Sequence, residues 1–382
     1  MPLFTRTLVL CVVIGGVIHV TSYLLNALLP LHMVALGGSK TQVGLLFSVG
    51  TAVSMILRPL VGGWIDRYGI RPVILPGVFG LTLTSLGFHL AGTPGVLIAL
   101  MVGIGLGNGL VVGPCNVLIA QAAAPARRGE ALSTYYVATS VGIAIGPPVG
   151  LLLYRAGGMR LGFLAVTALA LGIASLAMWL VRGVGRPAPG ARPPFRLWSR
   201  HAVTAAGALV LTSMGHSSIY AFLPLYAISH GMGHHVTWFF VLFSVWLIVC
   251  RVLFRRASDR LGRARVIVPG TAAIALGFFS LVTPPTVPSL AASALLLATG
   301  ASVLYPTFVA LVVDRTPEAE RGLAIGTLSG FFDLGTVVGA ALIGLVVEHA
   351  SFGAGFAVAG VMAALGLLAF VATERRRARR TP

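Results

Sequence analysis

Asp333 is an acidic residue set deep in an apolar stretch. Eleven residues separate it from Gly322, where that stretch begins, a depth of about 16 Å at helical rise. A carboxylate so placed is costly to keep charged. Such groups carry a proton, meet a cationic ligand, or hydrogen-bond to Ser or Thr, and the residues alone leave these three roles open. His19 has the same depth, eleven residues from Leu8, and His216 lies fourteen residues past Ala202. An imidazole changes charge near neutral pH and can relay protons, or it can be a hydrogen-bonded core group. Tyr23, Asn26, Asn108, Asn116, Tyr220, Tyr305 and Phe332 stand at comparable depth in other apolar runs. They could line a substrate cavity or tie helix to helix. No catalytic constellation accompanies them: there is no carboxylate pair at depth, no GxSxG and no Gly-rich Lys phosphate loop. His230, His234 and His235 cluster without a nearby Cys or carboxylate, so no metal site is expected. Cys11, Cys115 and Cys250 are far apart and read as small buried hydrophobes. No enzyme activity and no cofactor are expected.

The elements that must position these groups are membrane helices. Of 382 residues, 57% are apolar and 9% charged, too few charges to clothe a soluble protein of this size. A large soluble enzyme and a disordered chain are excluded. The net charge of +18 could suit nucleic acid, but the arginines stand in short clusters between apolar runs, which is how membrane topology is written. No nucleic-acid partner is expected. About 20 apolar residues cross a bilayer, and twelve such runs follow one another: 8–36, 42–64, 72–91, 95–121, 131–154, 160–182, 202–229, 236–256, 265–283, 288–313, 323–347 and 352–373. With the N-terminus in the cytoplasm, 24 Lys and Arg fall inside and 3 outside, the latter being Lys40, Arg155 and Arg160. The expectation is an integral protein of a bacterial-type inner or cell membrane, both termini cytoplasmic.

The chain repeats itself at an offset of 193 residues. Arg58 to Gly77 and Arg251 to Gly270 agree at nine of twenty positions, including Asp-Arg, Gly and the closing Pro-Gly. Arg128 to Gly146 and Arg321 to Gly339 agree at six of nineteen. The fold class is therefore an all-α membrane protein of twelve transmembrane helices in two six-helix halves that run in the same direction. Parallel halves of this kind are a transporter architecture, with a substrate site expected between them near the midplane. The expected division is 1–182 for the N-terminal bundle, 183–200 for a basic, Pro-rich cytoplasmic linker, 201–373 for the C-terminal bundle and 374–382 for a basic tail.

The segment GGWIDRYGIRP, with Gly62, Asp66, Arg67, Gly69 and Arg71, resembles the loop signature of the major facilitator superfamily. Asp259, Arg260 and Gly262 repeat it in the second half. Gly142, Gly146, Pro147 and Gly150 are similar to the fifth-helix motif of the antiporter branches, and the run around Tyr305 to Gly335 looks like bacterial sugar-efflux permeases. The fourth helix lacks the intramembrane Arg of proton-linked exporters. Asp66 and Asp259 each follow an Arg (Arg58, Arg251) by eight residues, about 12 Å along one helix face. Direct pairing is disfavoured, and a helix N-terminus elsewhere can take the charge. The resemblance implies that these groups latch the cytoplasmic side; anchoring against slippage is the alternative. Gly142, Gly146 and Gly150, with Gly335 and Gly339 in the second half, form small-residue faces that serve gating or static packing. The family resemblance implies a monomeric secondary transporter that exports a small drug-like or sugar-like molecule by alternating access, in exchange for protons. Proton-coupled uptake and uncoupled facilitation are the alternatives.

Overall fold

The computed structural model describes residues 5–122, 128–182, 198–254, 257–317 and 320–378. Among them all regular structure is helical. A helix satisfies each backbone N–H and C=O within its own segment, the condition that lipid imposes on an apolar run. The chain forms α1 (Arg6–Ala35), α2 (Lys40–Tyr68), α3 (Arg71–Gly87) with a short 3-10 turn at Phe88–Leu90, and α4 (Pro94–Ala122). The stretch Arg128–Val181 is broken at Gly157 and Gly158, the latter at φ 67°, which gives α5 (128–156) and α6 (159–181). The next crossing is two helices, α7 (Arg200–Ser213) and α8 (His216–Ser229), parted at Met214 and Gly215. Then follow α9 (His235–Leu253), a short helix Ala257–Leu261, α10 (Arg263–Phe279), α11 (Val287–Asp314), α12 (Arg321–His349) and α13 (Phe352–Ala378).

Ten helical stretches are long and apolar enough to cross a bilayer. One of them, Val137–Val181, has 45 residues and contains the Gly157–Gly158 break, so it makes two crossings. The 17-residue α10 completes twelve. The protein is an all-α membrane protein with six crossings in each half. Helix starts are closed locally. Ser39 N–H donates to Gln42 Oε1 (2.8 Å) and Gln42 N–H to Ser39 Oγ (3.2 Å), a reciprocal cap on α2. Thr286 and Ser289 do the same for α11.

The described chain divides into two compact units. One holds residues up to Gly38 and from Val49 to Arg182; the other holds Ser39–Ser48 and the residues from Trp198 onward. In the first, α1 packs on α5, and α3 packs on α4 and, through Thr82 Oγ1 to the Ala170 carbonyl (3.5 Å), on α6. In the second, α7 packs on α12, and α10 packs on α11 and α13. These are the same pairings six crossings later, so the sequence repeat is also a packing repeat. Glycine makes the approach close. A Cβ on Gly142 would lie 2.6 Å from the Gly16 carbonyl oxygen, and one on Gly335 would lie 2.2 Å from that of Val210.

Candidate functional site

The crossing made by α7 and α8 has fourteen residues on each side of its break. The interruption therefore falls near mid-membrane, although neither Met214 nor Gly215 is a proline. Met214 N–H reaches the Leu211 carbonyl at 3.4 Å, and Ser218 Oγ donates to the Gly215 carbonyl at 2.6 Å. Short-turn and side-chain bonds thus take up the backbone groups that the break frees. His216 opens α8 at this point. Its ring meets Phe332 at 5.3 Å and Tyr220 at 5.8 Å, edge to face. Tyr305 on α11 meets Phe332 from another side, also edge to face at 5.3 Å. The Tyr305 hydroxyl is hydrogen-bonded to Ser329 Oγ at 2.7 Å. The Phe332 carbonyl accepts from Ser213 Oγ (3.1 Å) and Thr336 Oγ1 (3.0 Å), which pins that turn of α12 to the end of α7.

Asp333 comes next on α12 and is buried, 8% exposed. The second unit therefore gathers His216, Tyr220, Tyr305 and Phe332 into one cluster adjoining Asp333. Tyr220 is a wall of that cluster: it is buried and stacked on Phe240 at 5.7 Å.

The other candidates lie in the first unit. His19 Nδ1–H donates to the Gly15 carbonyl at 2.7 Å, so that nitrogen carries the proton. Tyr23 is one turn further along α1, with its Cβ beside Gly146, and Asn26 follows at the next turn. Asn108 Nδ2 donates to Ser22 Oγ at 3.3 Å and ties α4 to α1. The Oδ1 atoms of Asn108 and Asn116 are buried with no partner among the described residues. A void of about 10 Å³ bounded by Thr21, Ser22, Ser85 and Asn108 has the size of one water.

At the arginine-rich helix ends, Arg58, Arg67, Arg71 and Arg260 are exposed and Arg251 is half-buried. The side chains of Asp66 and Asp259, like most of the linker and the last four residues of the tail, lie outside the described residues. Gly62 is open to its surroundings, whereas Gly69 and Gly262 each hold a positive φ. Gly142, Gly146 and Gly150 press on α1, Gly335 presses on α7 and Gly339 on Met214 at the break, and Pro147 is buried within α5. Sequence reasoning passed over the ion pairs Arg263–Asp314 (2.9 Å) and Arg315–Glu374 (2.6 Å), which join α10 to α11 and α11 to α13. It also passed over Glu348, whose Oε2 accepts the Lys40 N–H at 2.6 Å. With only nine acids in the chain each one stands out, but the partners lie 51, 59 and 308 residues away, beyond what spacing encodes.

A model of the Major Facilitator Superfamily matches residues 11–250 and 205–382. The chain belongs to the major facilitator superfamily. Among relatives in this superfamily, it is 26% identical over 344 residues to the Uncharacterized MFS-type transporter YhhS of Escherichia coli K12, covering 87% of this chain and 84% of that one. It is equally similar, at 26% over 355 residues, to the protein of the same name in Salmonella typhimurium LT2. Solved transporters share the fold at low identity. A POT family transporter in complex with 5-aminolevulinic acid superposes with a TM-score of 0.82 at 13% identity, covering 97% of this chain and 96% of that one. The nucleoside transporter NupG superposes at 0.77 and 13%, covering 96% and 99%. This superfamily member is a membrane transporter and not an enzyme.

Proposed function

We propose that this transporter exports a small organic molecule, drug-like or sugar-like, by alternating access in exchange for protons, with Asp333 as the proton-binding group. The observation that carries the reading is the placement of Asp333. It is buried mid-helix on α12, beside a ring cluster and a helix whose backbone is interrupted at the same depth. A carboxyl group held there is cheapest when neutral. Gaining or losing its proton therefore changes the cost of any rearrangement of α12, and that differential cost is what couples an ion to a conformational equilibrium. His216, in the ring cluster of the same half, is the second proton-coupling group, and His19 serves the same purpose in the first half.

The rings of His216, Tyr220, Tyr305 and Phe332 offer apolar faces with hydroxyl and imidazole edges. Such a surface suits an organic molecule with a planar or apolar body and a few polar groups. Tyr23, Asn26, Asn108 and Asn116 are the candidate substrate-cavity groups of the first half. Arg58, Asp66, Arg67, Arg71, Arg251, Asp259 and Arg260 act as the cytoplasmic latch, with Gly69 and Gly262 shaping its turns. The charge asymmetry of 24 against 3 puts both termini in the cytoplasm.

Proteoliposomes under an imposed pH gradient test this, with a substrate chosen by ligand-stabilisation screening at two pH values. Wild-type protein should move substrate against the proton flow. Asp333→Asn should keep counterflow exchange and lose gradient-driven accumulation. Full coupling in that variant would end the proton-carrier role, and substrate moving with the proton would make the protein an uptake symporter.

A further inference from the structure

One open cleft in the first unit lies outside the transport machinery. It has a volume of about 450 Å³ and is bounded by His32, Phe88, His89, Met159, Arg160 and Phe163, together with Ala91. It sits where α1 ends, α3 gives way to its 3-10 turn and α6 begins, at the end of the unit opposite Arg67 and Arg71. The Gly157–Gly158 break is what lets α6 start here and sets the exposed Arg160 beside the two histidines.

The lining is built rather than incidental. Phe163 is buried and forms its floor, stacked on Phe88 at 5.5 Å. The rings of His32 and His89 stand edge-on to Phe163 at 5.2 and 6.0 Å, with interplanar angles of 78° and 79°. Both imidazoles are anchored through one nitrogen. His32 Nε2–H donates to the Ala91 carbonyl at 3.3 Å. Thr167 Oγ1 gives its own proton to the Ser85 carbonyl (3.3 Å), so it accepts from His89 Nε2–H (3.2 Å). With Nε2 carrying the proton, the Nδ1 of each neutral ring is an acceptor, so the guanidinium is the group that meets an anion. The cleft thus offers one permanent cation and two imidazoles, and no carboxylate is among its lining residues.

What surrounds the cleft says what kind of anion fits it. Phe79, Leu83, Leu86 and Leu90 recur at helical spacing on α3 and its 3-10 turn, and they are 55%, 73%, 49% and 85% exposed. Leu164 and Leu171, seven residues apart on α6, are 51% and 52% exposed. In a membrane helix such stripes face acyl chains. Leu90 adjoins His89 and Leu164 adjoins Phe163, so acyl-facing surface runs directly into the cationic cleft. A soluble anion would use Arg160 alone; a phospholipid would use Arg160 and the stripes together.

We propose that this cleft binds the phosphate of a membrane phospholipid, with Arg160 as the cation, the His32 and His89 rings as its flanking walls, and the leucine stripes receiving the acyl chains. A guanidinium fork matches phosphate oxygens in a way a point charge does not. The site accounts for a cation that the positive-inside pattern disfavours on this face. It stands independently of the substrate and of the direction of transport.

The test uses purified full-length protein in detergent. Dioctanoyl phosphatidylglycerol, dioctanoylglycerol and inorganic phosphate are titrated separately, with binding followed by native mass spectrometry and by thermal unfolding. Phosphatidylglycerol should bind and stabilise, and the other two should do neither at the same concentrations. Arg160→Ala should weaken lipid binding by about tenfold, the size of one charge-assisted hydrogen bond. His89→Ala should weaken it by a smaller factor, and Arg160→Lys should retain part of it. Arg160 is exposed, so Arg160→Ala should unfold like wild type without lipid, which separates a lost site from a lost fold. Equal lipid affinity in Arg160→Ala and wild type would overturn the proposal. So would inorganic phosphate binding as tightly as the lipid, which would mark a soluble-anion site, or dioctanoylglycerol binding as tightly, which would mark apolar adhesion alone.

Discussion

Gly69 and Gly262 stand 193 residues apart and both hold a positive φ, 87° and 95°. Each follows an Asp-Arg-x triplet. Gly69 N–H still reaches the Ile65 carbonyl at 2.8 Å, which ends α2, and Gly262 immediately precedes α10. A Cβ at either position would strain the turn, since a positive φ of this kind costs an L-residue roughly 1–3 kcal/mol. Gly69→Ala and Gly262→Ala should each lower stability by about that amount and add in the double variant, because the sites are independent. Thermal unfolding in detergent measures this. No loss in either single variant would mean the turn can be rebuilt without glycine.

A second pair of glycines on α12 separates contact from conformation. A Cβ on Gly339 would lie 2.0 Å from the Met214 carbonyl oxygen, a backbone atom with no rotamer to escape by, whereas one on Gly330 would meet nothing within 4 Å. Gly339→Ala should therefore destabilise by about 1–3 kcal/mol through overpacking. Gly330→Ala should be neutral or stabilise by up to about 1 kcal/mol through lower backbone entropy in the unfolded chain. The same unfolding assay ranks the two, and equal effects would remove the packing explanation.

The contrast between these positions also shows how far a sequence reaches. Crossing number and the twofold repeat are legible because lipid forces each apolar run of about 20 residues to satisfy its own backbone, and because Asp-Arg-x-Gly recurs at fixed spacing. The turn at Gly69 and Gly262 is local in the same way. The break at Met214–Gly215 is not local. No proline marks it, and what lies against it is the Gly339 face of α12, more than a hundred residues away. The gathering of Tyr305, Phe332 and His216 depends on three helices meeting, which residue spacing along any one of them does not encode. Glu348 was missed for a related reason. Its partner is a helix start 308 residues away, and only its isolation among nine acids hinted at a role.

That partner gives a third prediction. Glu348 Oε2 accepts the N–H of Lys40 at 2.6 Å and that of Thr41 at 3.4 Å, so a carboxylate from α12 caps the positive end of α2. Ser48 Oγ donates to the Val337 carbonyl at 2.8 Å further along the same contact, and Lys40 Nζ sits over the Phe352 ring at 4.9 Å. Glu348→Gln keeps the shape and removes the charge. It should cost about 1 kcal/mol, more at low salt than at high. Glu348→Ala should also speed maleimide labelling of a cysteine placed at Ser48, which is buried at 6%. Unchanged labelling would show that Ser39–Ser48 is held by its apolar packing alone.

The hydroxyl of Tyr305 and Ser329 Oγ, 2.7 Å apart, link α11 to α12 one turn before Phe332. If that bond positions the Phe332 ring, Tyr305→Phe and Ser329→Ala should each cost about 1 kcal/mol, and the double variant little more than either one. A lone stability effect would show only that the bond exists, so the cycle is repeated on substrate affinity with a ligand found by screening. There the single variants should weaken binding by a few-fold while the maximal transport rate holds, because the ring contacts are altered and the Asp333 step is not. Phe332→Ala should weaken binding more than either variant and abolish their further effect, since the surface they position would be gone. Additive losses in the Phe332→Ala background would mean that the Tyr305 hydroxyl and Ser329 act on the ligand directly and not by positioning the Phe332 ring.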